Sequence, residues 1–213
     1  MIDRISEELG RYYSEKFAAH GANSQGVDWG TDQSKMFLRY EKMLSVVSPP
    51  NSERPSLLDV GCGYGGLLGY ATDKGIGFDY TGIDVAANMI EWAANNMQGG
   101  RFINGDVMTH QFETDFDYVV CNGILTQKLD TPGREMDRFA GQLIRRLFEI
   151  ARHGLAFNVM TTKVNHFSNN LYYRNPAELL AWCMTEISPS IKLDHSYPLY
   201  EYTVYLMKDG NAE

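Results

Sequence analysis

Asp59-Val60-Gly61-Cys62-Gly63-Tyr64-Gly65-Gly66 is the stretch on which the reading of this chain turns. Glycines alternate through it, just after the apolar run Leu57-Leu58 and just before residues with helical spacing. Such a turn lets the backbone bend sharply and approach a ligand, while the helix N-terminus beyond it adds partial positive charge. Gly61, Gly63 and Gly66 satisfy G-x-G-x-x-G, the pattern of dinucleotide-binding turns, and Asp84 stands about where an acid would meet a ribose. The spacing alone leaves a ligand-free glycine turn and a dinucleotide site both open.

Outward from the turn, short apolar runs alternate with helical stretches, the signature of a parallel sheet covered by helices. The pattern predicts strands at 57–60, 80–83, 101–104, 118–121 and 155–159, with helices at about 65–74, 86–97 and 135–151. Asn175-Pro176-Ala177-Glu178 supplies an N-cap, a first-turn proline and a capping-box acid, which starts a helix running to about Glu186. Residues 191–195 and the alternating stretch 201–207 flank a turn too short for a crossover, so an antiparallel hairpin ends the sheet. Upstream, Ile5, Leu9, Tyr12, Tyr13 and Phe17, then Met36, Phe37, Tyr40, Met43, Leu44 and Val47, predict two amphipathic helices joined by a glycine-rich loop around Trp29. Pro49-Pro50-Asn51-Ser52 is a strong breaker, dividing residues 1–50, a helical segment, from 51–213, the sheet domain.

Three features separate the candidate ligands. Asp59 precedes the first glycine by two residues, where it would repel a pyrophosphate and suit a ligand carrying an ammonium and a sulfonium. Gly105-Asp106-Val107 puts another acid at the end of the third strand, placed for an adenine amino group, so acids close strands one, two and three in order. The terminal hairpin, finally, is foreign to the dinucleotide-binding arrangement.

These motifs, Leu57 to Gly65, Thr81-Gly82-Ile83-Asp84-Val85-Ala86-Ala87-Asn88-Met89-Ile90, Asn104-Gly105-Asp106-Val107 and Phe116-Asp117-Tyr118-Val119-Val120-Cys121-Asn122-Gly123, resemble in order those of the class I S-adenosylmethionine-dependent methyltransferases. The resemblance covers about Ser56 to Met207. It implies a doubly wound α/β fold, a mostly parallel seven-stranded sheet with the terminal antiparallel hairpin, and S-adenosylmethionine as cofactor. It also implies roles. Asp59 and the loop Gly61, Cys62, Gly63 and Gly65 would lie near the methionine portion, Asp84 on the ribose hydroxyls, Val85 on the adenine, Asp106 near its amino group, and Asn122 beside the methyl donor, with Val107 also among the cofactor-binding residues. The leading segment and the turn 197–201 resemble those of uncharacterised bacterial members and bring no substrate with them.

Composition narrows the partners. The chain has 213 residues and a formal charge of −8, so its overall field does not attract nucleic acid; Arg145, Arg146 and Arg152 are the local exceptions. The position after the fourth strand reads Asn122-Gly123-Ile124-Leu125 rather than the [DN]-P-P-[YF] pattern that base-amino methyltransferases resemble. The longest apolar stretch, Leu179 to Met184, is far below the about 20 residues of a membrane span. With an acidic N-terminus and three scattered cysteines, Cys62, Cys121 and Cys183, the expected setting is the cytoplasm, with buried thiols and no metal site. The expected reaction is methyl transfer to an oxygen or nitrogen of a small molecule. A protein acceptor and a non-catalytic cofactor-binding module are the alternatives.

Ligands of open α/β sheets sit at the carboxyl ends of the strands. His166, in the long stretch after the fifth strand, and His195, after the sixth, are therefore the candidate bases. Trp29 is the candidate lid, Arg39 a candidate partner for a substrate carboxylate, and Tyr172, Tyr197 and Tyr200 candidate substrate contacts.

Overall fold

The computed structural model describes residues 2–47 and 54–208. The breaker at 49–52, and with it the boundary at residue 50, lies outside the described residues. Two helices, α1 (Ile2–His20) and α2 (Gln33–Leu44), lead into the alternating series β1 (Ser56–Val60), α3 (Gly66–Asp73), β2 (Asp79–Asp84), α4 (Ala87–Asn96), β3 (Gly100–Asn104) and β4 (Phe116–Cys121). Then come α5 (Gly133–Glu149), β5 (Ala151–Thr161), the two-residue β6 (Tyr173–Arg174), α6 (Pro176–Glu186), β7 (Ile191–Asp194) and β8 (Glu201–Met207).

The sheet order is β3-β2-β1-β4-β5-β8-β7, with β8 antiparallel to both neighbours and every other pair parallel. The expected parallel sheet and closing hairpin are thus both present. The strand number differs, being eight rather than seven. β5 runs on to Thr161, past the last residue paired with β4, Phe157, so its edge there is open; β6 fills it at Met160 and Thr161. An unpaired strand edge at that depth would leave backbone N–H and C=O groups without partners.

Burial follows the two-residue period of strands covered on both faces. Leu58 and Val60 of β1, Val119 and Cys121 of β4, and Leu155, Phe157 and Val159 of β5 join one cluster with Leu143, Ile144 and Leu147 of α5 and Cys183 of α6. Leu57, Tyr118, Val120 and Ala156 face the other way, against Met36, Tyr40 and Met43 of α2 and Leu67, Leu68 and Ala71 of α3. Ile5 and Leu9 of α1 share the first cluster, and Phe17 packs with Tyr64, Ala86 and Met89 in a third. The leading helices therefore bury their apolar stripes against the sheet domain itself. All three cysteines are buried. No helix among the described residues is long and apolar enough to cross a membrane.

Candidate active site

Local chemistry sets the glycine loop. The N–H groups of Gly61 and Cys62 both donate to the Ile83 carbonyl, folding the chain over the end of β2. Gly61 sits at φ +73, where a Cβ would stand 2.8 Å from Ile124; side chains rarely adopt that backbone, and the post-β4 turn closes off the space. Gly65, at φ +80, is the N-cap of α3.

Above this loop, at the carboxyl ends of β1 to β4, lies a cavity of about 970 Å³ including its mouth, at the upper end of ordinary small-molecule sites. Asp59, Asp84 and Asp106 all line it. Each is held differently. Asp59 is 3 % exposed and accepts from the Tyr80 hydroxyl at 2.7 Å; burial, opposed by that bond and reinforced by the charge of Asp84, pushes its carboxyl up to about 7. Asp84 accepts from the N–H groups of Gly63 and Ala86, both at 2.8 Å. Burial raises its carboxyl while those bonds oppose the rise. Asp106 accepts from the Met108 N–H at 2.9 Å, an Asx turn that shapes the loop after β3.

Asn122 is the outlier. It is 7 % exposed, it lines the cavity, and neither its Nδ2 nor its Oδ1 has a hydrogen-bond partner. A buried amide left so costs of the order of 1–3 kcal/mol per unsatisfied group, which makes it a candidate ligand contact.

The sequence comparisons fit this geometry. A family described as "Methyltransferase domain" matches residues 57–147. A Mycobacterium tuberculosis protein provisionally named methyltransferase Rv1506c is 34% identical over 156 residues, covering 72% of this chain and 93% of that protein. The chain belongs to the class I S-adenosylmethionine-dependent methyltransferases.

Solved structures below 25% identity share the fold of this methyltransferase. Magnesium protoporphyrin IX methyltransferase (ChlM) of Synechocystis PCC 6803, with bound S-adenosylhomocysteine, aligns with TM-score 0.65 at 15% identity over 97% of both chains. The plantazolicin methyltransferase BpumL gives 0.59 at 16%, covering 98% of this chain and 99% of the other.

The family's cofactor is S-adenosylmethionine, and the residues present fit it: a glycine loop with no room for a side chain at Gly61, carboxylates rather than cations among the described lining residues, and an unpartnered buried amide. Of the cofactor residues expected from sequence, Asp59, Gly61, Cys62, Gly63, Asp84, Val85, Asp106, Val107 and Asn122 line the same cavity, while Gly65 lies behind it at the start of α3.

Most of the expected acceptor-side residues lie elsewhere. His166 and His195 are both exposed and neither lines the cavity; His195 instead packs its ring edge against Tyr202. Tyr172 is buried against Asp137, to which its hydroxyl donates at 2.8 Å. Tyr197 shares a hydrogen bond with Thr203, and exposed Tyr200 accepts from Asn165. Arg39 is not free for a substrate carboxylate either, because its guanidinium is paired with buried Glu201 at 3.0 Å. Trp29 alone among these candidates lines the cavity, against Gly123 and Tyr40.

Among the lining residues that sequence reading missed are Ser6, Leu9 and Tyr13 of α1 and Tyr40 of α2, which form the wall supplied by the leading helices. Burial raises the Tyr13 hydroxyl well above its ordinary value, so this phenol stays protonated. The available signal was that α1 carries tyrosines on its apolar stripe, where a purely packing face needs no hydroxyl.

Proposed function

We propose that this methyltransferase transfers a methyl group to an oxygen or nitrogen of an uncharged small molecule held between the glycine loop and the leading helical segment. The observation that carries this reading is the lining: among the described residues it contains aromatic and aliphatic side chains and three carboxylates but no Lys, Arg or His. An anionic acceptor would find no counter-charge there. Two cations of the leading helices are spent, Arg39 on Glu201 and Lys16 on Asp28 at 2.8 Å. Nucleic acid is disfavoured on the same ground, since Arg145 pairs with Glu186, Arg152 with Asp117, and Arg146 donates to the His110 carbonyl.

In this reading Asp59 and the Gly61–Gly63 backbone hold the methionine portion of the cofactor, Asp84 the ribose, Asp106, Val85 and Val107 the adenine, and Asn122 the group nearest the methyl. The cofactor, when bound, supplies a methyl already activated on a positive sulfur. What remains for the protein is to align the acceptor atom at about 3–3.5 Å on the displacement axis and to exclude water. Tyr13, Val27, Trp29 and Tyr40 supply a dry wall for that purpose. Among the described residues no histidine base lines the cavity, so an acceptor amine would react in its neutral form.

The lid is part of the same proposal. Residues 21–30 are pinned at Asp28, whose carboxylate takes the Tyr12 hydroxyl at 2.6 Å, Gln127 Nε2 at 2.9 Å and Lys16 Nζ at 2.8 Å. That junction joins α1, the Trp29 loop and the turn after β4, so opening it would open the acceptor wall. The deciding experiment supplies S-adenosylmethionine labelled on the methyl to the protein with a cell extract, then separates small molecules from macromolecules. Label is expected in the small-molecule fraction; label confined to protein or nucleic acid would overturn the assignment.

A further inference from the structure

Behind Asn122 runs a buried polar chain that the site itself does not use. The Gly123 N–H donates to Asn158 Oδ1 at 2.8 Å, Asn158 Nδ2 donates to Glu201 Oε1 at 3.3 Å, and Glu201 Oε2 accepts from Arg39 Nε at 3.1 Å and Nη2 at 3.0 Å. Asn158 is 1 % exposed and Glu201 2 %. The chain links β5, β8 and α2 to the turn that carries Asn122, and Trp29 spans its two ends. The Arg39 guanidinium lies 5.1 Å from the Trp29 ring centre, and a Cβ on Gly123 would stand 3.1 Å from the same ring.

We infer that Asn158 and Glu201 are positioning residues for the cofactor site: together they fix the turn at Asn122–Gly123, so that the unpartnered Asn122 amide faces the cavity. The inference rests on the reading of Asn122 as a cofactor contact. Asn122 makes no side-chain bond of its own within the protein, so its aim is set by its backbone. That backbone is held at Gly123, which has φ +100 and needs an acceptor for its buried N–H. The Asn158 amide offers its oxygen there, and the Glu201 carboxylate takes up its nitrogen, which would otherwise be a buried donor without a partner. Arg39, in turn, lets a carboxylate exist at 2 % exposure, since a buried charge is tolerated only when paired.

The polarity of the chain provides the test. In Glu201→Gln one orientation of the new amide points NH2 at Asn158 and the other points it at Arg39. Flipping Asn158 to relieve the first would turn its NH2 onto the Gly123 N–H, so every arrangement leaves two donors facing each other. Asn158→Asp alone sets a second buried carboxylate against Glu201. The double variant Asn158→Asp/Glu201→Gln re-forms the bonds at the Gly123 N–H and between positions 158 and 201 with net charge unchanged, but it separates the buried carboxylate from Arg39 and sets the new NH2 beside Arg39 Nε, which stands 3.0 Å from Oε1. Its recovery is therefore read against Asn158→Asp, in which two buried carboxylates face each other.

S-adenosylhomocysteine affinity, by calorimetry, and the urea midpoint are measured on wild type, both single variants, the double variant, Asn122→Ala and Leu179→Ala. The last is buried on α6, away from the cavity, and serves as a control for lost stability alone. A hydrogen bond's typical net worth converts to an expected loss of about fivefold or more in affinity for each single variant, with partial recovery in the double relative to Asn158→Asp. Leu179→Ala is expected to lower the midpoint without changing affinity. If the single variants behave like Leu179→Ala, or the double binds no better than Asn158→Asp, the positioning role is wrong. If Asn122→Ala binds like wild type, the reading of Asn122 fails, and the inference falls with it for that separate reason.

Discussion

Asp59→Asn should remove the pH dependence that one buried carboxyl imposes on folding. Asp59 is 3 % exposed, and burial lifts its carboxyl from 3.8 to about 7. At pH values below about 4 both the folded and the unfolded chain hold the proton, and the group is neutral in its energetics. As pH rises further the unfolded chain ionises at its ordinary value while the folded protein keeps the proton until about 7. Across that window folding loses about 1.4 kcal/mol per pH unit, about 4 kcal/mol in all, and the loss is complete above pH 7. Asn has the same shape, and its carbonyl can still accept from Tyr80, so the variant removes the ionisation with little else. Urea denaturation of both proteins from pH 4.5 to 8 gives the difference directly, because the other carboxylates cancel. The variant should gain stability relative to wild type as pH rises through the window, by up to about 4 kcal/mol, and the gain should level off above 7. A difference independent of pH would refute the argument that Asp59 is protonated in the free protein. The same logic predicts that binding S-adenosylhomocysteine, whose ammonium would face Asp59, releases protons at pH 6.5 from wild type but not from the variant. Calorimetry in buffers of different ionisation enthalpy reads that release.

Three further substitutions follow from local geometry. Gly123→Ala combines a φ of +100 with a new contact 3.1 Å from Trp29 and should cost roughly 2–5 kcal/mol in urea denaturation; adding Trp29→Ala should relieve the steric share and leave the backbone share. Asp84→Asn turns an NH2 group onto one of two N–H donors and should weaken S-adenosylhomocysteine binding by about tenfold or more, measured by calorimetry; unchanged affinity would remove Asp84 from the site. Asp28→Asn breaks the junction of Tyr12, Gln127 and Lys16 and should speed amide hydrogen exchange across residues 21–30 with the strands unaffected; uniform acceleration instead would mean the loop does not open on its own.

The cofactor half of the site was legible because its residues are consecutive in motifs tied to strand ends. Once β1, β2, β3 and β4 lie side by side, Asp59, Asp84, Asp106 and Asn122 must meet, whatever the helices do. The acceptor half depends on how α1 and α2 are rotated about their axes and where they cross the sheet edge, which no local pattern encodes. Ser6 and Tyr13 reach the cavity through that packing alone. Arg39 looked available because its partner, Glu201, is 162 residues away in sequence. His166 and His195 were placed by the strand-end rule, but His195 follows β7, the edge strand remote from the β1–β4 switch point, and His166 lies in the loop beyond the end of β5, which runs past its pairing with β4 to Thr161. The rule gives the edge and not the position along it.

The distribution of charge in the cavity bears on catalysis as well as on recognition. Methyl transfer removes the positive charge of the donor, so carboxylates free to follow that charge would stabilise the starting state more than the transition state and slow the step. Here each carboxylate is already tied to fixed donors: Asp84 to two backbone N–H groups, Asp106 to one, and Asp59 to the Tyr80 hydroxyl. The groups across the cavity, Tyr13, Val27, Trp29, Tyr40 and Asn122, are uncharged. A site so arranged can select a cationic adenosyl ligand while limiting the field that opposes transfer. It follows that adding charge on the acceptor wall should be worse than adding bulk: Val27→Asp should depress turnover more than Val27→Leu at equal occupancy by cofactor, and the reverse order would show that shape rather than charge governs that wall.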